Sequence, residues 1–296
     1  MNVKKVLGLG LVVTGAIAGS FLADVKPADA FVVKDGWNYE IDTFNDGLGF
    51  NRHGNSGYEI YGMAYKVANG ITTIAINSNM DLEDGRSNGA SDDGRLDFGD
   101  LIFNFSGDDL QTASENADLF GIRFAPNSDS LVPVGVYSDV TAQMAAGNYH
   151  QKNLKKYNKK LSNKGVTASI GDGSIFKNDD AYFGGELAQP LNSIASGTKV
   201  GDIDMLDVEE VASLGLDFGY FHPSRKEGVH TIAFTFESGF FPRGKGLYHL
   251  GFECNNDVIG GAFEGEAVPT PAVILPTILG MFGAASRKKD AEDELA

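Results

Sequence analysis

Alternation with a period of two residues runs through the middle of this chain and commits it to strands with one buried and one open face. From His230 to Glu237 the positions His230, Ile232, Phe234 and Phe236 alternate with Thr231, Ala233, Thr235 and Glu237. Tyr248, Leu250, Phe252 and Cys254 alternate with Leu247, His249, Gly251 and Glu253, and the sets Leu101, Phe103, Phe105 and Phe120, Ile122, Phe124 repeat the pattern. Further strand candidates are Trp37 to Phe44, Tyr58 to Val67, Ile71 to Asn79, Val134 to Val140 and Leu216 to Phe221, separated by Gly, Asn and Asp clusters. Many short strands punctuated in this way predict a mainly β domain, an antiparallel β-sandwich or jelly-roll-like arrangement. One or two short helices interrupt it. Leu154, Tyr157 and Leu161 fall at i, i+3 and i+7 among five lysines from Lys152 to Lys160, with Gly165 as a stop. Asp204 to Leu214 has its acids early, which suits the positive end of a helix dipole.

The 296 residues carry 24 Lys and Arg against 40 Asp and Glu, a net charge of −16. That excess repels polyanions, so no nucleic-acid partner is expected. A single cysteine, Cys254, excludes a disulfide framework or a cysteine-based metal site within one chain. On the apolar side of its strand it reads as a buried thiol, with intermolecular pairing as the alternative.

Both ends have the composition of address segments. Lys4 and Lys5 precede an uncharged run from Val6 to Ala23, and Ala28-Asp29-Ala30 then supplies the small-x-small pattern of signal peptidase. Residues 1–30 therefore read as a signal peptide cleaved after Ala30, with an uncleaved anchor as the alternative. At the other end, 19 uncharged residues from Val268 to Ser286 are followed at once by Arg287, Lys288 and Lys289. At about 1.5 Å per residue such a helix just matches a hydrocarbon core of about 30 Å, and positive-inside bias keeps the basic trio cytoplasmic. Pro269, Pro271 and Pro276 count against a buried core helix instead. The organisation expected is a signal peptide, an extracytoplasmic β domain over 31–267, and a C-terminal segment over 268–296 containing a single transmembrane helix.

Val268-Pro269-Thr270-Pro271-Ala272, the apolar span and Arg287-Lys288-Lys289 together resemble the PEP-CTERM class of sorting signals in its Val-Pro-Thr-Pro-Ala variety, where Pro-Thr-Pro replaces the usual Pro-Glu-Pro. The resemblance implies recognition by an exosortase, a transient stay in the cytoplasmic membrane and release to the cell surface. The acidic extension after the basic trio is longer than is usual for that class. The middle of the chain, including Trp37-Asn38-Tyr39, Gly99 to Gly107, Asn192 to Gly197 and Glu253-Cys254-Asn255-Asn256-Asp257, is similar to exosortase-dependent surface proteins found in cyanobacteria. That similarity brings no catalytic residues with it.

Few side chains in the middle suggest chemistry. Asp81, Glu83, Asp84, Asp92, Asp93, Asp97 and Asp100 crowd a Gly- and Asn-rich stretch, and dense carboxylates are what calcium needs. EF-hand spacing fails, since Met80 and Leu82 occupy the first two ligand positions when Gly85 is set at the sixth. A solvated loop is the expectation, with Asp81, Asp84, Asp92, Asp93 and Asp97 as weak calcium candidates and otherwise no cofactor. Asp202, Asp204, Asp207 and Glu209 have a spacing seen in some jelly-roll glycoside hydrolases, but it continues into a helical pattern that scatters them, so a charged helix start is expected. Ser56 beside His53 lacks a strand-to-helix elbow. The five histidines contain no pair spaced for a shared metal, and His230 reads as a core-edge residue. The lysine helix is a solvated face or a contact for an acidic extracellular polysaccharide.

No catalytic constellation emerges. The function expected is that of a non-enzymatic, exosortase-processed protein of the cell surface or extracellular matrix. The alternatives are a carbohydrate- or calcium-binding adhesion module using the acid loop and Tyr58, Tyr61 and Tyr65, and, behind it, an extracellular glycoside hydrolase.

Overall fold

The computed structural model describes residues 32–48, 56–83, 85–87, 93–146, 153–166 and 179–265. In chain order the strands are β1 (Val32–Lys34), β2 (Trp37–Ile41), β3 (Ile60–Ala68), β4 (Ile71–Ser78), β5 (Arg86–Ser87), β6 (Arg95–Leu96), β7 (Leu101–Asn104), β8 (Leu119–Arg123) and β9 (Gly135–Gln143). There follow β10 (Ser193–Gly201), β11 (Asp204–Met205), β12 (His230–Glu237), β13 (Gly244–Gly251) and β14 (Val258–Gly265). Four short helices join them: α1 (Leu110–Glu115), α2 (Leu154–Ser162), α3 (Asp179–Phe183) and α4 (Val208–Ser213). Among the described residues no helix is long and apolar enough to cross a membrane.

Two six-stranded antiparallel sheets organise the chain, one in the order β1-β2-β3-β4-β12-β11 and the other β10-β9-β8-β7-β13-β14. Each grows as a meander and is completed by later strands. The tight turns are local chemistry. Asp35-Gly36 and Asn69-Gly70 both take positive φ, as a two-residue hairpin turn of the I′ type requires. The alternation predicted for His230 to Glu237 is realised: Ile232, Phe234 and Phe236 enter the main core, and Ala233 packs on the opposite face.

The main core draws residues from both sheets, among them Met63, Tyr65, Ile74 and Phe234 from the first and Phe103, Ile122, Tyr248 and Phe263 from the second. Ring contacts cross between the layers, with Tyr65 and Phe263 4.8 Å apart and Phe124 stacked on Phe234 at 5.3 Å. The outer faces are covered too. Segment 206–221 lies on the first sheet over Trp37, Tyr39 and Ala75, while α1 and α3 pack against Ile102, Tyr137 and Ile194 of the second. Such two-sided burial explains why β3 reads as a near-continuous apolar run and why β4 is buried along most of its length.

Two local expectations change. Leu216 to Phe221 is not a strand: Phe218–Phe221 forms a 3-10 turn whose Phe218 meets Tyr39 edge-on at 5.3 Å, so packing overrides the alternation. The helix expected from Asp204 starts later. Asp204–Met205 instead pairs with β12, and α4 begins after Asp207, whose carboxylate accepts the amides of Glu209 and Glu210 in a capping box.

Candidate functional site

Four acids from three separate segments meet where β2 ends and β3 and β14 begin. Ile41 pairs with Gly62 and the Asp42 amide donates to the Tyr61 carbonyl at 3.2 Å, which brings the loop after β2 beside the residues preceding β3. The register of β3 against β4 shifts between Ile60 and Gly62, a bulge that bends the strand next to Glu59. Asp257 precedes β14, and its Oδ2 accepts the amide of Ile60 at 2.7 Å while Oδ1 accepts that of Val258 at 3.0 Å. This carboxylate therefore joins the first sheet to the second.

One oxygen each from Asp42, Asp46 and Asp257 lies within 4.8 Å of the others. All three side chains and Glu59 are at most 1% exposed. Asp42 Oδ1 accepts the Thr43 amide at 2.8 Å, whereas its Oδ2 is sealed from solvent and has no hydrogen-bond partner among the described residues. Burial pushes the Asp42 carboxyl well above the usual range, and the facing charges of Asp46, Asp257 and Glu59 push it further. Asp257 is raised for the same reasons, burial first and then Asp46 and Glu59.

The loop that carries Asp46 closes onto this cluster because of Gly47. A Cβ there would stand 2.6 Å from the Tyr58 carbonyl oxygen and 2.7 Å from Glu59 Oε2, so a side chain is excluded. Leu48 then donates its amide to Asn256 at 2.7 Å and packs under α2 with Tyr157 and Leu161. The Tyr157 hydroxyl donates to the Asp46 carbonyl at 3.3 Å, and burial followed by the four acids raises its pKa well above that of a free phenol. Chemically the cluster is, among the described residues, a set of hard oxygen donors without imidazole or thiolate, which suits calcium or magnesium better than zinc.

A second buried polar region adjoins it. Glu253 accepts the amides of Asp97 at 3.0 Å and Asp129 at 2.5 Å, and burial pushes its carboxyl up to about 7. Asn192 donates to the carbonyls of Phe252 and Glu253 and to Asn255 Oδ1, and accepts from Ala145. Asn255 takes φ +50°, a left-handed turn that asparagine tolerates. His249 is committed as well. Its Nε2 faces the Leu191 carbonyl at 2.6 Å and so donates, leaving Nδ1 to accept from the Tyr182 hydroxyl at 2.8 Å, and burial lowers its pKa to about 4.

Most residues singled out from the sequence lie elsewhere. Asp81 Oδ1 accepts the Glu83 amide and its Oδ2 is 3.4 Å from His230 Nδ1, which stands at the rim of the first sheet. Asp93 accepts the Arg95 amide on the surface. Asp97 and Asp100 are buried, contrary to a solvated loop: Asp97 lies 3.5 Å from Arg95, and Asp100 accepts the Ile194 amide at 2.6 Å. Asp84 and Asp92 lie outside the described residues, as do His53, His150, Ala28, Ala30, Val268 to Ala272 and Arg287 to Lys289. Asp202 pairs with Lys199 and Asp204 lies in β11, so of the acid array only Asp207, which caps α4, and Glu209 in its first turn form the charged helix start. Tyr61 and Tyr65 are buried, and Tyr58, partly buried, packs on Phe252, so the three do not share an exposed face. Cys254 is buried, its thiol pushed up to about 12.

Asp42, Asp46 and Glu59 were not marked by any motif. The signal present is indirect: acids placed at the ends of apolar strand runs, with Gly47 directly after Asp46. No family model, curated protein or solved structure matches the chain.

Proposed function

We propose that this chain is an exported, non-enzymatic protein of the cell surface or extracellular matrix: a two-layer β-sandwich released from its precursor by signal peptidase at one end and an exosortase at the other. One observation carries the reading. The described strands run from Val32 to Gly265, so the unit they form fits between a cut after Ala30 and a sorting motif opening at Val268. Among the described strands β1 and β14 are each at the edge of their sheet, so neither sheet is built around the points where the two ends attach. Meander hairpins within each sheet favour the sandwich over jelly-roll connectivity. Retention among acidic surface polysaccharides would draw on the lysines of α2, where Lys155 and Lys159 are exposed and Lys155 pairs with Glu186.

The test is the intact mass and N-terminal sequence of the protein recovered from a host possessing an exosortase. The mature chain should begin Phe31-Val32-Val33 and lack Arg287 to Ala296. Replacing Pro269 and Pro271 with alanine should let helix extend through the motif and leave uncut, membrane-bound precursor. Processing of that variant like wild type, or a wild-type tail kept whole, refutes the sorting assignment.

A further inference from the structure

A carboxylate withdrawn from water needs a compensating proton, cation or set of donors. Asp100 has one oxygen on the Ile194 amide and the positive charge of Arg123 nearby, although its Oδ1 has no hydrogen-bond partner among the described residues. Asp42 is placed differently. Its Oδ2 has no hydrogen-bond partner among the described residues, and the charges acting on it there are those of other acids.

We propose that Asp42, Asp46 and Asp257, with Glu59 beside them, form a calcium site that pins the first sheet to the second beneath α2. Two oxygens held by one calcium at about 2.3–2.6 Å lie no more than about 5 Å apart, and the three carboxylates present oxygens within 4.8 Å of one another. The Asp42 Oδ2, sealed in the same cluster with no hydrogen-bond partner among the described residues, is the second observation that points to a bound cation. Calcium accepts irregular sets of six to eight oxygens drawn from separate segments. Magnesium demands near-octahedral geometry and holds its waters, which a sealed site admits poorly. The site rests on this geometry alone and does not depend on where the chain is delivered.

The experiment uses the full chain purified in detergent, stripped with chelator and titrated with calcium chloride or magnesium chloride, read by calorimetry and thermal melting. One calcium per chain is expected, with a melting temperature several degrees higher at about 1 mM calcium and rising with its logarithm; magnesium should give a much smaller shift. Asp42→Asn should abolish the calcium shift, yet melt in chelator at or above the wild-type temperature, because it removes a buried charge. Elemental analysis of wild-type protein before stripping gives a second measurement that needs no variant. Absence of calcium in both calorimetry and elemental analysis overturns the proposal, as does an undiminished calcium response in Asp42→Asn. An equal response to magnesium overturns the choice of calcium. The double variant Asp81→Asn with Asp93→Asn locates the site: a retained response supports the buried cluster, and a lost response moves it to the acid-dense stretch.

Discussion

The stretch from Asp81 to Asp100 and the acids at 42, 46, 59 and 257 put the same functional group to different uses. Along the first, each carboxylate meets a partner of its own: Asp93 holds the turn to Arg95, Asp97, where the chain dips inward, lies against Arg95, Asp81 faces the distant His230, and Asp100 accepts the Ile194 amide. In the second, residues up to 215 positions apart are driven together by strand pairing and face one another out of water. Density of charge along the chain therefore does not by itself bring acids to one place, whereas density in space marks where electrostatic cost accumulates.

The contrast breaks most severely at Asn192, which holds the turn that delivers Asp257. Asn192→Ala removes its three donated bonds and one accepted bond from a fully buried position, and should cost about 3–5 kcal/mol in urea unfolding. A loss below about 1 kcal/mol would show that the turn holds itself.

A smaller effect is expected from pH. Glu253 is raised from 4.5 to about 7 by burial, so the folded state holds its proton more tightly than the unfolded state. Its contribution to stability is fully present below about 4.5 and is lost as pH rises through about 7. Asp100, pushed up to about 6, acts with the same sign. His249, lowered to about 4 from 6.5, acts oppositely, its contribution being present above 6.5 and lost as pH falls through about 4. In chelator, Glu253→Gln should flatten the decline in stability between pH 5 and 7 without removing it; an unchanged slope would deny Glu253 its share.

The smallest effect belongs to the open loop. Asp93→Asn leaves an acceptor for the Arg95 amide at an exposed position and should shift stability by less than about 0.5 kcal/mol. A larger loss would mean that this loop too is part of a coupled polar network, and would erase the distinction between the two regions.

Much of the scaffold is legible in the residues because its causes are local. Alternation at Ile232, Phe234 and Phe236 places β12, Asn69-Gly70 makes the turn between β3 and β4, and Leu154, Tyr157 and Leu161 place α2. β10 escapes such reading. Ser193–Gly201 is rich in Gly, Ser and Thr, and at the sheet edge it is half open to solvent, so no apolar period is imposed on it. Leu216 to Phe221 has the alternation of a strand and still turns, because the outer face of the first sheet needed a cover and Phe218 supplied it.

Strand class, hairpin turns and helix caps follow from neighbours within a few positions, where periodicity and backbone preference act. The gathering of Asp42, Asp46, Glu59 and Asp257 has no such neighbourly cause. It depends on the pairing of β2 with β3 and on the bond from Asp257 to Ile60 across the layers. A carboxylate that would be unremarkable in water becomes a strong ligand candidate when long-range packing strips its solvent and sets other carboxylates against it, and no local pattern encodes that event.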